Sequence, residues 1–316
     1  MKKNWNLIGN RKKFLLGSVA VLLIGLVFNL IFGTALDISF QGGSRIVYSY
    51  EGDLNRDAVE TFVSDTLGKK ATVTLSTSAD VKQIEVSLAD ALTLDQTIDL
   101  ETKLAKQFES NKVKQTNSNT IPPAMGKWFF VKCGVALLLA AALLLVYVAF
   151  RFRKIGGFSA AFCALLALLH DMLIAYFAFV IFRIPLDANF VAVELTILGY
   201  SLNSTIVIFD RVRENRRLAD KKYSFSEIVN TSINQTMSRS INTTLTTFVA
   251  VAVIAVIAVI VNLDSLISLT VPMMFGLLAG FYSSTFLACT FWAGWAEKRE
   301  AAAKDKKSKK RSKKRA

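Results

Sequence analysis

Hydrophobic positions in this chain gather into six long runs instead of recurring at the spacing of an amphipathic helix or strand. The runs cover residues 14–36, 128–150, 158–182, 188–209, 242–262 and 265–295. Each reaches or exceeds the length of about twenty residues that a helix needs to cross a bilayer. They predict a membrane all-α protein with six transmembrane helices. Short polar segments separate most of the runs. Only between the first and second is there room for a domain, residues 37–127.

That intervening stretch has its own pattern. Residues 45–50 alternate like a strand, while 55–67 carry Ala58, Val59, Phe62, Val63 and Leu67 at helical spacing and stop at Gly68. Alternation returns at 71–77 (Val73, Leu75) and 83–88 (Ile84, Val86, Leu88). Thr93 and Gln96 have the spacing of a capping box, ahead of a helix through Ile98, Leu100, Leu104 and Phe108. The order β-α-β-β-α predicts a ferredoxin-like α+β domain. Residues 111–123 read as a polar linker into the second span. The domain has no His or Cys, and its carboxylates are scattered among Lys residues. No catalytic constellation is expected there.

Composition agrees with the runs. Of 316 residues, 53% are hydrophobic and the mean hydropathy is +0.41, too apolar for a soluble chain of this size. The net charge of +14 first suggests nucleic acid, but its location argues otherwise. Residues 297–316 carry eleven Lys or Arg against Glu297, Glu300 and Asp305, which alone gives +8. A basic extension behind a membrane span acts as a topology anchor; anionic lipid headgroups or ribosomal RNA are the alternative partners. No nucleic-acid partner is expected.

The charges also orient the chain. Lys2, Lys3, Arg11, Lys12 and Lys13 precede the first run; Arg151, Arg153 and Lys154 follow the second; Arg211, Arg213, Arg216, Arg217, Lys221 and Lys222 follow the fourth. The turns near 185–187 and 262–264 are not basic. The positive-inside rule places both termini in the cytoplasm and the 37–127 domain outside. The first run is longer than a signal-peptide core and has no clear cleavage site before Asp37, so it reads as a retained helix. The expected organisation is a basic start and first span (1–36), the extracytoplasmic domain and linker (37–127), a helical bundle (128–296) with a cytoplasmic loop (210–241), and the basic tail (297–316). Cys133, Cys163 and Cys289 all lie in apolar runs and read as small hydrophobes. Neither a metal site nor a cofactor is expected.

Ionisable and polar groups inside a bilayer are costly, so they are the candidate site. His170 and Asp171 fall in the middle of the third run. Glu194, Ser201, Asn203, Ser204 and Thr205 fall in the fourth, and Arg239 just ahead of the fifth. At about 100° per residue, Ser201 and Thr205 share a face with Glu194, Ser204 lies beside that face and Asn203 opposite it. Such a stripe needs facing helices or water. Two readings stay open for it: interhelical hydrogen-bonding glue or an ion path. His170–Asp171 is a structural tie or part of the path, and Arg239 a headgroup anchor or part of the path. Asp210 and Arg211, at the end of the fourth run, read as an interfacial pair. Gly276 and Gly280 allow a close helix contact, expected to need cover from another chain.

These residues also form longer motifs: Leu36-Asp37-Ile38-Ser39-Phe40-Gln41-Gly42-Gly43, His170-Asp171, Gly199-Tyr200-Ser201-Leu202-Asn203-Ser204-Thr205 continuing to Asn215, Ser238-Arg239-Ser240-Ile241-Asn242-Thr243-Thr244-Leu245, and Gly280-Phe281-Tyr282-Ser283-Ser284. In combination, over nearly the whole chain except the basic tail, they resemble the SecF proteins of the bacterial SecD/SecF protein-export family. The resemblance implies a fold related to the resistance-nodulation-division exporters. It implies a SecD partner, work beside the SecYEG channel and the SecA motor, and an unfolded preprotein as cargo. It implies residence in the bacterial plasma membrane, and ion flow that drives movement of the external domain. Arg239 matches the family's ion-path arginine. Ser204 departs from the pattern, since the family usually has Asp there; either Glu194, on the adjoining face, is the substitute carboxylate, or SecD's carboxylates carry the coupling. A scaffold for SecD, or a small-molecule or lipid exporter of related fold, are the competing functions. None of these readings is an enzyme.

Overall fold

The computed structural model describes residues 5–78, 81–219, 223–261 and 263–299. Lys2, Lys3, Lys221, Lys222, Asn262 and the tail from residue 300 onward lie outside the described residues.

Among the described residues, six helices are long and apolar enough to span a membrane. The first, α1 (Arg11–Phe32), stops at Gly33, whose φ of 68° breaks the helix. The expected end near residue 36 is therefore too late. Ala35 and Leu36 are instead extended, because their backbone pairs with Leu186: Leu186 N–H donates to Ala35 O at 2.9 Å and Asp37 N–H to Leu186 O at 3.0 Å.

A single turn, α2 (Ile38–Gln41), then leads into the domain. Its strands are β1 (Gly43–Tyr50), β2 (Ala71–Ser78), β3 (Val81–Leu88) and β4 (Lys114–Ile121), and its helices α3 (Arg56–Leu67) and α4 (Leu94–Gln107). The sheet order is β2-β3-β1-β4, antiparallel throughout. With the connectivity β-α-β-β-α-β this is the split arrangement of ferredoxin-like domains. Asn55 caps α3, Gly68 ends it in the left-handed conformation, and the Thr93–Gln96 capping box is formed. Ile46, Tyr48, Val59, Val63, Val73, Ile84, Val86, Leu100 and Leu104 make the core.

Residues 111–123 are not a linker. Residues 114–121 form β4, an edge strand paired with β1. Most of its side chains are exposed, so it carries no hydrophobic alternation; backbone pairing with β1 holds it, with side-chain bonds such as Thr116 to Val47 O and Ser44 to Thr120 beside it.

The domain stands on the bundle through a tight foot. Gly42 (φ 83°) leaves no room for a Cβ, which would meet the Pro123 backbone. Gly43 (φ 136°) lies against Leu88 O, and Gly126 against the backbone of Gln41 and Gly42. Phe40 is buried against Phe129 and Phe130 at 5.6 and 5.3 Å between ring centres.

The remaining spans are α5 (Pro123–Arg151), α6 (Gly157–Ile181), α7 (Ala188–Leu218), α8 (Phe225–Ile260) and a last one, 265–299, whose first part is α9 (Asp264–Tyr282). Helix α6 sits in the middle, against α1, α5, α7 and α9. The outer helices α1, α5 and α8 leave Leu30, Leu138, Leu143 and Ile260 exposed. Helices α7 and α8 run far beyond their apolar stretches. In the segment 210–241, α7 thus continues to Leu218 and α8 already begins at Phe225. Its first turn in α8 is fixed by a capping box of Ser224 and Glu227.

Candidate functional site

Asp171, in the middle of α6, is fully buried and accepts three hydrogen bonds. Ser201 of α7 and Ser283, at the end of the last span's α9 segment, each donate to its Oδ2 at 2.6 Å. His170 Nδ1 lies 3.0 Å from its Oδ1. A carboxylate in the apolar bundle needs such donors, because leaving it bare costs several kcal/mol, on the order set by desolvation. The His170 ring stacks on Tyr282 at 6.3 Å, and Tyr282 donates to Phe14 O at 2.7 Å, so the cluster also reaches α1.

The serine donor arises from a local change of helix type. Residues Ser283–Ala288 form a π-helical segment, a feature often placed at functional sites. The wider turn aims neighbouring residues at two neighbours at once. Ser283 reaches Asp171, while Ser284 donates to Ser201 O at 3.0 Å and bonds Thr205 Oγ1 at 2.8 Å. Ser283 and Ser284 were visible in sequence only as part of a motif. A run of hydroxyl residues inside an apolar span was the signal that marks them.

Helices α7 and α9 run side by side in one direction, with contacts between Asn189 and Ser268, Ile197 and Gly276, Ser201 and Gly280, and Thr205 and Ser284. Gly276 and Gly280 thus pack within this chain and need no cover from another. A Cβ on Gly276 would run into Ile197 Cδ1, and one on Gly280 would lie 3.1 Å from Ser201 Cβ. Both glycines bring α9 close enough for the Asp171 bonds to form.

Glu194 lies on the same face of α7 as Ser201 and Thr205, as the 100° spacing predicts, and all three are buried. Neither Glu194 oxygen has a hydrogen-bond partner among the described residues. The polar line therefore runs from Glu194 through Ser201 and Asp171 to Ser283, Ser284 and Thr205.

Ser204 and Asn203 stand outside this line. Ser204 is half-buried and, among the described residues, donates only to Tyr200 O of its own helix, at 3.2 Å. Asn203 is exposed. Bonds from Tyr200 to Thr244, Arg211 to Gln235 and Asn215 to Ser232 set an antiparallel register of α7 on α8. That register puts Asn203 level with Asn242, which is also exposed.

Arg239 lies well inside α8, not ahead of the helix, because α8 begins at Phe225. It is exposed and has no ion-pair partner among the described residues. It lines a cleft of about 720 Å³ with Ile206, Asp210, Arg211, Glu214 and Gln235. Asp210 and Arg211 are not a pair. Neighbouring helical residues point about 100° apart, so each finds its own partners. Asp210 binds Arg151 at 3.1 Å and Arg213 at 2.9 Å; Arg211 binds Glu214 at 2.7 Å and Gln235 at 2.6 Å.

The foot of the domain and this polar line share a hydrophobic cluster. Phe40, Ala175, Phe179, Leu186, Val193 and Ile197 pack together. Ala175 is one turn from Asp171, and Ile197 one turn from Ser201.

Comparison with known proteins places this arrangement. Residues 100–298 match the family described as "Protein export membrane protein SecD/SecF, C-terminal". The chain is 33% identical over 303 residues to the protein translocase subunit SecF of Alicyclobacillus acidocaldarius, covering 93% of this chain and 94% of that one. It is 32% identical to the protein translocase subunit SecDF of Bacillus subtilis, where it spans only 38% of the longer relative. A crystal structure of SecDF from Thermus thermophilus, described as a translocon-associated membrane protein, is similar with a TM-score of 0.78 at 26% identity. There the match covers 93% of this chain and 39% of the other. The chain belongs to the SecD/SecF family of protein-export membrane proteins, aligning with its SecF members over nearly their whole length.

Proposed function

We propose that this protein-export translocase subunit works as a SecF partner to a SecD chain, coupling an ion gradient to movement of its β-sheet domain during preprotein export. The observation that carries the coupling is the buried line of acids and hydroxyls through α6, α7 and the last span. Asp171 anchors the line through its three hydrogen bonds. Glu194, which makes no bond that the fold depends on, is the group free to take up and release an ion. A change at either acid reaches Ala175 and Ile197 within one turn, and through them Phe40 and the domain's foot.

The basic residues flanking α1, α5 and α7 support a plasma-membrane orientation with both termini inside and the domain outside. Relatives in which SecD and SecF are fused in one chain support the SecD partnership. So do the exposed polar groups Asn203, Arg239 and Asn242, which lipid does not satisfy and a partner helix can. SecYEG, SecA and an unfolded preprotein complete the proposed assembly. No catalytic chemistry of its own is assigned to the chain.

The test is preprotein translocation into inverted vesicles, with and without an imposed ion gradient, using membranes that contain or lack this chain beside its SecD. Gradient stimulation should need the chain. One observation favours a second reading, a scaffold for SecD: Ser204 stands where a titrating acid is usual and bonds only its own helix. Stimulation that persists when every acid of the line is neutralised would support the scaffold.

A further inference from the structure

At the end of the bundle where α1 begins, α1, α6 and the last span enclose a groove of about 500 Å³ that the polar line does not touch. Arg11, Lys12 and Lys298 stand around it, and Leu15, Phe162 and Trp295 wall it. Phe162 and Trp295 meet edge to face at 5.6 Å. The Arg11 guanidinium folds over Gly294, where a Cβ would displace it. Arg11 is half-buried and its guanidinium has no hydrogen-bond or ion-pair partner among the described residues. Among the described residues, no carboxylate lines the groove.

The layout is amphipathic along the membrane normal. The cations sit at helix ends, where headgroups lie, and Leu15 is about one turn deeper on α1. Phe162 continues the apolar wall on α6. We propose that this groove binds one anionic phospholipid, its phosphate on Arg11 with Lys12 and Lys298 beside it, and one acyl chain along Leu15, Phe162 and Trp295. A zwitterionic lipid offers the same chains but no net charge to three cations. Each cation near an anionic headgroup strengthens binding by about fivefold. The inference depends on the chain lying in a membrane and not on its role in ion coupling.

The experiment uses the full chain with its partner in phosphatidylcholine vesicles. Brominated-acyl phosphatidylglycerol or brominated-acyl phosphatidylcholine is titrated in, and the Trp295 quenching is isolated as the difference between wild type and Trp295→Phe. Phosphatidylglycerol should reach half-quenching at a mole fraction many-fold lower than phosphatidylcholine. Arg11→Gln and Lys298→Gln should each raise that midpoint by about fivefold. Lys13→Gln, a neighbouring charge that does not line the groove, should leave it unchanged. Added inorganic phosphate should not displace the lipid. Equal midpoints for the two lipids, an equal effect of Lys13→Gln and Arg11→Gln, or displacement by phosphate would each overturn the proposal. So would loss of quenching when the partner is present, because the groove would then be a protein interface.

Discussion

Ser283 donates a 2.6 Å hydrogen bond to Asp171 and thereby ties the last spanning helix to the third. The bond depends on the π-helical segment that begins at Ser283, and on Gly280, which lets α9 approach Ser201. Asp171 is thus both a structural hub and the central acid of the proposed path. Substitutions can separate the two roles.

Asp171→Ala removes the acceptor of two buried hydroxyls, Ser201 and Ser283. Unpaired buried polar groups cost about 1–3 kcal/mol, so the variant should unfold at lower temperature in detergent. Asp171→Asn keeps an acceptor oxygen and should unfold close to wild type while losing gradient-dependent export. Equal thermal loss in both would mean that the charge itself holds the bundle together.

Glu194 should behave in the opposite way. Its oxygens have no hydrogen-bond partner among the described residues, so replacing it with Leu removes a buried polar group without orphaning another. Thermal unfolding of Glu194→Leu should be unchanged or shifted upward. A marked downward shift would show that Glu194 is part of the packing, and its candidacy for ion uptake would fall.

Helix contact at Gly276 can be tested by a double substitution. Gly276→Ala pushes a methyl into Ile197 Cδ1, an overpacking worth about 1–3 kcal/mol. Ile197→Val deletes that carbon. The pair should be less destabilised than the two single losses added together, by at least about 0.5 kcal/mol in thermal or denaturant unfolding. Strict additivity would mean that α7 and α9 do not meet at these residues.

Much of this was legible along the chain because hydrophobicity decides it. The six spans follow from apolar runs that only a bilayer accommodates. The domain core follows from alternation at Ile84, Val86 and Leu88. The shared face of Glu194, Ser201 and Thr205 follows from helical geometry alone. Strand β4 was hidden because most of its residues are polar on both faces and its ties are hydrogen bonds, chiefly the backbone pairing with β1. The helical extensions around Arg239 were hidden because polar and charged residues end the apolar runs while the helices do not stop. The partners of Asp210 and Arg211, and the reach of Ser283 and Ser284, depend on which helices meet and on a local π turn. No spacing rule for an ordinary α-helix supplies those.

The central claim is that this subunit's own charges couple the gradient to export. It is tested most directly by preprotein translocation into inverted vesicles bearing Glu194→Gln or Arg239→Ala, each beside wild-type SecD, with and without an ion gradient. Ser204→Ala serves as control, since among the described residues its hydroxyl bonds only Tyr200 O within α7. The account predicts that both charge variants keep basal, gradient-independent translocation and lose most of the stimulation, while Ser204→Ala is stimulated as wild type. Full stimulation in both Glu194→Gln and Arg239→Ala would contradict it.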